Sequence, residues 1–121
     1  MKKTVIIGAS TNPSRYAFLA ADRLTRHGHE IVPLGIRPGE VFGQPILDIR
    51  KKPALSGVDT VTLYIGPHRQ PEWYDYILGL KPARIIFNPG TENYEFEKLA
   101  EAAGVEAVEG CTLVMLQSGQ F

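Results

Sequence analysis

Thr4-Val5-Ile6-Ile7 runs directly into Gly8-Ala9-Ser10-Thr11-Asn12-Pro13-Ser14-Arg15, and then into a segment where Ala17, Ala20, Ala21 and Leu24 recur at helical spacing. So short an apolar run reads as a strand buried on both faces, and the periodic segment as an amphipathic helix. The turn between them opens onto a helix N-terminus, where free backbone N–H groups and the positive end of the helix dipole converge. Gly8 lets the backbone come close to a ligand, Ala9 follows it, Ser10 offers a hydroxyl, and Arg15 is expected within the first helical turn. Asn12 before Pro13 predicts an N-cap followed by proline at the first helical position. The pattern suits a phosphorylated small molecule.

The rest of the chain repeats the alternation. Strands are expected at Glu30 to Leu34, Thr60 to Ile65, Arg84 to Phe87 and Val105 to Val108, with a short edge strand at Gln44 to Leu47. Gly35 to Val41 reads as a loop, and the stretch through Ser56 as weakly patterned, with room for one helical turn. Pro71 opens a helix that turns Tyr74, Ile77 and Leu78 inward, and Glu92 to Ala103 forms another with Phe96, Leu99, Ala100 and Ala103 on its inner face. A short helix closes the chain. Alternating strands and helices predict an α/β, Rossmann-like three-layer fold with a mostly parallel sheet of five or six strands, the first strand central and Thr60 to Ile65 beside it. Ligands of such sheets bind beyond the carboxyl ends of the strands, which here are Gly8 to Pro13, Leu34 to Arg37, Gly66 to His68 and Asn88 to Thr91.

Composition narrows the ligand. Lysine plus arginine equals aspartate plus glutamate at 13 each, without the basic excess expected of a nucleic-acid binder. No apolar run approaches the roughly 20 residues that span a bilayer. The chain of 121 residues is expected to be one domain, and its single cysteine, Cys111, argues against a disulfide framework or cysteine-rich metal site and for the cytoplasm. A dinucleotide is the usual guest of this fold. Gly-Ala-Ser-Thr-Asn-Pro, however, lacks the later glycines of the dinucleotide fingerprint, and Val32-Pro33-Leu34-Gly35 supplies no carboxylate for a ribose hydroxyl. Arg37 instead complements a 2′- or 3′-phosphate.

Gly8-Ala9-Ser10 with Asn12-Pro13 and Arg15 resembles the opening of the small bacterial CoA-binding proteins, whose fold also forms the N-terminal CoA-binding domain of succinyl-CoA synthetase alpha subunits. The resemblance continues through Ile31-Val32-Pro33-Leu34, Gly43 to Ile46, Val58-Asp59-Thr60-Val61, Ala83 to Gly90, Asn93, Ala102-Ala103-Gly104-Val105 and Gly110-Cys111. It implies coenzyme A or an acyl-CoA as ligand. Gly8, Ala9, Ser10 and Arg15, with Asn12 and Pro13 in the same turn, would meet the phosphate-bearing part. Leu34, Gly35, Ile36 and Arg37 would lie near the adenosine, and Ile65, Gly66 and Pro67 along the pantetheine path. Asn88, Pro89 and Gly90 stand where the family more often has Gln-x-Gly, and Leu34 to Arg37 where it often has Val-Asn-Pro.

Plainer readings apply to the remaining candidates. Trp73, Tyr74 and Tyr76 read as core and partly exposed aromatics, and His68 and Arg69 as a surface loop. His27 and His29 lack acidic or cysteine partners for a metal. Cys111, near a helix start, reads as a small buried residue before a thiol that exchanges with CoA. No nucleophile–base or carboxylate pair falls at the strand ends. The sequence therefore favours a stand-alone binding module for a nucleotide thiol or thioester, without independent catalysis. An NAD(P)-binding enzyme or redox sensor is the alternative, and an interaction subunit with a vestigial pocket the second. A homodimer or a partner subunit stays open.

Overall fold

The computed structural model describes residues 1–121. Chain order runs β1 (Thr4–Ile7), α1 (Tyr16–Arg26), β2 (Ile31–Gly35), a hairpin of β3 (Glu40–Val41) and β4 (Gln44–Pro45), β5 (Leu47–Asp48), β6 (Thr60–Leu63), α2 (Tyr74–Gly79), β7 (Arg84–Phe87), α3 (Tyr94–Ala102), β8 (Glu106–Glu109) and α4 (Thr112–Gln117). Six strands form one sheet in the order β5-β2-β1-β6-β7-β8, and every pairing in it is parallel. Counted outward from β1, that is the Rossmann order, with the switch point between β1 and β6.

Side-chain alternation sends neighbours to opposite faces. Val5, Ile7, Val61, Leu63, Ile85 and Phe87 pack with Ile77 of α2 and with Phe96 and Ala100 of α3. Ile6 points the other way, onto Ala17, Ala20, Ala21 and Leu24 of α1 and Leu116 of α4. Helices thus cover both faces, giving the expected three layers. No helix is long and apolar enough to cross a membrane.

Several local expectations shift. The edge segment divides: Gln44–Pro45 pairs antiparallel with Glu40–Val41, and only Leu47–Asp48 joins the main sheet beside β2. Pro45 has no N–H to continue a ladder, and the Ile46 amide bonds back to the Gly39 carbonyl at 2.8 Å, closing the hairpin. The helical turn expected before Ser56 is a 3-10 turn at Ile49–Lys51, capped by Asp48. Pro71 does open a helical segment, a 3-10 turn over Pro71–Trp73 that leads into α2. In α3 the inner face is narrower than predicted: Phe96 and Ala100 are buried, whereas Leu99 and Ala103 face solvent.

Helix α1 starts three residues after Pro13. Asn12 is not its cap. The Asn12 carboxamide oxygen accepts instead from the Ser14 N–H at 3.0 Å and the Ser14 hydroxyl at 2.7 Å, a local turn that competes with helix. Arg15 takes the N-cap position with extended backbone and makes no side-chain cap.

Candidate functional site

At the carboxyl ends of β1, β2, β6 and β7 the loops surround an open cleft of ≈ 1010 Å³. That volume sits at the upper end of small-molecule sites and matches an extended, cofactor-sized ligand. Gly8 and Gly35 make its floor possible. A Cβ on Gly8, whose φ is +91°, would lie 2.9 Å from the Tyr64 carbonyl oxygen, and one on Gly35 would lie 2.8 Å from that of Ala9. The ends of β1, β2 and β6 therefore approach closer there than any side chain allows. The amides of Gly8 and Ala9 both donate to the Leu34 carbonyl, at 3.0 and 2.9 Å, which locks the first turn to β2.

Beyond Ala9 the backbone opens. The Ser10 hydroxyl accepts from the Asn12 amide at 3.0 Å, and the Arg15 amide donates to the Asn12 carbonyl at 3.0 Å. The N–H groups of Ser10, Thr11, Tyr16 and Ala17 donate to no other group of the protein. Two belong to the turn and two to the first turn of α1, and all four residues line the cleft. Unpartnered amides at the positive end of an eleven-residue helix form an anion cradle. Because Asn12 spends its carboxamide on Ser14, no side chain of the chain fills that cradle.

Four arginines line the cleft: Arg15, Arg37, Arg50 and Arg69. Arg50 is held in place: its Nε and Nη2 reach the Asp48 carboxylate at 2.9 and 3.2 Å, and Nη2 also meets the Ile36 carbonyl at 3.3 Å. Hydrogen bonds from Arg50 hold the Asp48 carboxyl below its usual pKa. Arg15, Arg37 and Arg69 make no ion pair or hydrogen bond through their side chains. Three uncommitted guanidiniums around one cleft, in a chain of zero net charge, mark it for a ligand with several negative charges.

The wall opposite β2 comes from the loops after β6 and β7. Gln70, fully buried, donates through Nε2 to the carbonyls of Ile65 at 3.0 Å and Thr91 at 2.8 Å, and its Oε1 accepts from Asn93 at 2.9 Å. Asn93 also caps α3 by accepting from the Phe96 amide. Tyr64 lies under the cleft floor with its hydroxyl buried and without a hydrogen-bond partner, beside the Thr62 and Thr112 hydroxyls that bond each other at 2.8 Å. Burial pushes its pKa to about 12, against the smaller pull of those two hydroxyls.

The cleft gathers most residues singled out from sequence: Gly8, Ala9, Ser10, Asn12, Arg15, Gly35, Ile36, Arg37, Ile65, Gly66, Pro89 and Gly90. Four lie outside its lining. Leu34 is fully buried in the core, Pro13 and Pro67 face solvent at their bends, and Asn88 is 2% exposed. The Asn88 amide nitrogen donates to Thr62 Oγ1 at 2.6 Å and the Leu63 carbonyl at 2.9 Å, while its oxygen accepts from the Thr112 amide at 2.9 Å. It ties β6 to α4 from inside. Arg69, expected on a surface loop, and Trp73, expected in packing, both reach the cleft wall. Thr91 closes the Asn88 to Thr91 loop expected at a strand end, whereas Arg50 and Tyr64 join without any local sequence signal; Arg50 depends on where β5 docks. Cys111, half-buried ahead of α4, does not line the cleft. No group of three His, Cys, Asp or Glu side chains is placed to hold a metal ion.

Strand order, open helix N-terminus and arginine rim together define a Rossmann-like α/β domain with a cation-rimmed cleft at the switch point. Residues 2–117 match the model of the CoA binding domain family, and the chain belongs to that family. Among solved structures, the crystal structure of an uncharacterized protein superposes with a TM-score of 0.96 at 56% identity, covering 100% of this chain and 98% of that one. A hypothetical protein from Pyrococcus horikoshii OT3 matches at TM-score 0.83 and 26% identity, over 97% of this chain and 82% of its own. The cell-free ID.343 protein from Thermus thermophilus shares the fold at TM-score 0.87 and 24% identity, over 99% and 90%. A comparison with curated proteins gave no match.

Proposed function

We propose that the chain is a stand-alone module that reversibly binds coenzyme A or an acyl-CoA in the cytoplasm, without catalysis of its own. The observation that carries this reading is the pairing of four open amides with three unpaired arginines around one cleft, in a member of the CoA binding domain family. Coenzyme A carries a diphosphate and a 3′-phosphate, a charge load that suits several separated cations. The titratable side chains lining the cleft are the four arginines, Glu72, Tyr16 and Tyr64. That set binds anions and offers no nucleophile beside a base, which favours binding over chemistry.

Thermal-shift titration with CoA, acetyl-CoA, NAD, NADP and ATP tests the reading. A ligand bound only by the native state stabilises by RT ln(1 + [L]/Kd), about 2.7 kcal/mol at a hundredfold excess over Kd. CoA compounds should raise the melting temperature. A response to NAD or NADP with none to CoA overturns the proposal in favour of a nicotinamide-dependent protein. Arg15→Ala should weaken CoA binding about tenfold by removing a charge-assisted contact. Unchanged affinity takes Arg15 out of the site.

A further inference from the structure

The loops around the cleft are held together in two different ways. On the β1–β2 side the backbone does it, through the Gly8 and Ala9 amides on the Leu34 carbonyl. On the β6–β7 side, side chains do it: Asn88 bonds Leu63 below the cleft, Asn93 bonds the Tyr74 hydroxyl beside it, and Gln70 acts at the cleft itself. Gln70 bridges the carbonyls of Ile65 and Thr91, two cleft-lining residues on different loops, and its third bond fixes Asn93 at the start of α3. The Trp73 amide in turn donates to the Gln70 carbonyl at 2.8 Å, so the indole on the cleft wall hangs from the same residue.

The two sides differ in charge. Arg15, Arg37, Arg50 and the open amides all belong to the β1–β2 side, whereas the opposite wall is built from Ile65, Gly66, Trp73, Pro89 and Thr91 with one charge of each sign, Arg69 and Glu72. Phosphates therefore favour the first side, and the uncharged arm of a bound coenzyme A is left to the second. We propose that Gln70 is a positioning residue for that arm, acting through the Ile65 and Thr91 segments it joins. The inference rests on the coenzyme A reading above. Without the Gln70 amide, two carbonyls lose their donor and the cleft-lining residues Ile65 and Thr91 lose the side chain that joins them. The wall is then no longer preorganised for the ligand, and affinity falls without loss of any direct contact.

NMR titration of wild type and Gln70→Ala with CoA and with adenosine 3′,5′-bisphosphate, the nucleotide half lacking the pantetheine arm, separates this role from general weakening. Gln70→Ala should lower CoA affinity about tenfold while leaving the bisphosphate within about twofold. Gln70→Met, which keeps the volume but neither donor nor acceptor, gives the same comparison should the alanine variant not fold. Equal losses for both ligands, or unchanged CoA affinity, overturn the positioning role. A wild-type protein that binds neither ligand overturns the coenzyme A reading itself, a result distinct from either of those.

Discussion

Asn88 shows how far one residue's role depends on its surroundings. It follows β7 beside Pro89 and Gly90 at a strand terminus, where a polar side chain usually faces the ligand. Here the side chain turns inward and satisfies its hydrogen-bonding capacity on Thr62, Leu63 and Thr112. Removing it leaves the Thr112 N–H and the Leu63 carbonyl without their buried side-chain partner. Asn88→Ala should therefore cost about 2–3 kcal/mol of stability in urea unfolding, within the range for orphaned buried groups. CoA affinity of the folded variant should stay unchanged in calorimetry, because no Asn88 atom lines the cleft. Loss of affinity at full stability would place Asn88 in the site after all. Tyr64 is the opposite case: a phenol buried without a partner, whose hydroxyl is the one buried side-chain polar atom left unsatisfied.

Among the elements, apolar runs were legible and polar turns were not. Thr4–Ile7 and Arg84–Phe87 form strands over the spans read from sequence, because a strand covered on both faces is marked by every residue in it. The cleft was legible too, since the fold class alone puts it at the strand ends. Gln70 was not: its value lies in spanning two loops separated by β7, which no local pattern records. The start of α1 misled for a different reason. Asn-Pro is equally good chemistry for an N-cap and for a tight turn, and only the Ser14 backbone decides between them. That distinction is measurable. If Asn12 capped α1, Asn12→Ala would cost about 1 kcal/mol of stability, as cap removal does. As the pivot of the turn, the Asn12 carboxamide instead fixes Ser14, just ahead of the open Tyr16 and Ala17 amides, so the variant should keep its stability and helical circular dichroism within about 0.5 kcal/mol of wild type while losing CoA affinity. A stability loss with intact affinity would restore the capping role.

At the scale of the molecule, the charges are distributed unevenly although they sum to zero. Asp22 neutralises Arg23 and Arg26 along the outside of α1, and Glu30 and Glu101 sit near Lys3 and Lys98. Lys51, Lys52 and Lys81 stand unpaired elsewhere on the surface, but Arg15, Arg37 and Arg69, also unpaired, gather around one cleft. Exposed cations in that position cost self-repulsion in the empty protein and relieve it when an anion enters, so binding should follow ionic strength. Raising salt from about 50 mM to about 500 mM shortens the Debye length from about 14 Å to about 4 Å, below the reach of side chains on opposite rims. CoA affinity should fall by about tenfold or more across that range, and the fall should be smaller in Arg15→Ala, Arg37→Ala and Arg69→Ala, each of which removes one screened contact. Uncharged pantetheine is the control, with an affinity that salt leaves nearly constant. A salt-independent CoA affinity would mean that these guanidiniums do not face the phosphates, and the ligand would then be held by the open amides of Ser10, Thr11, Tyr16 and Ala17 alone.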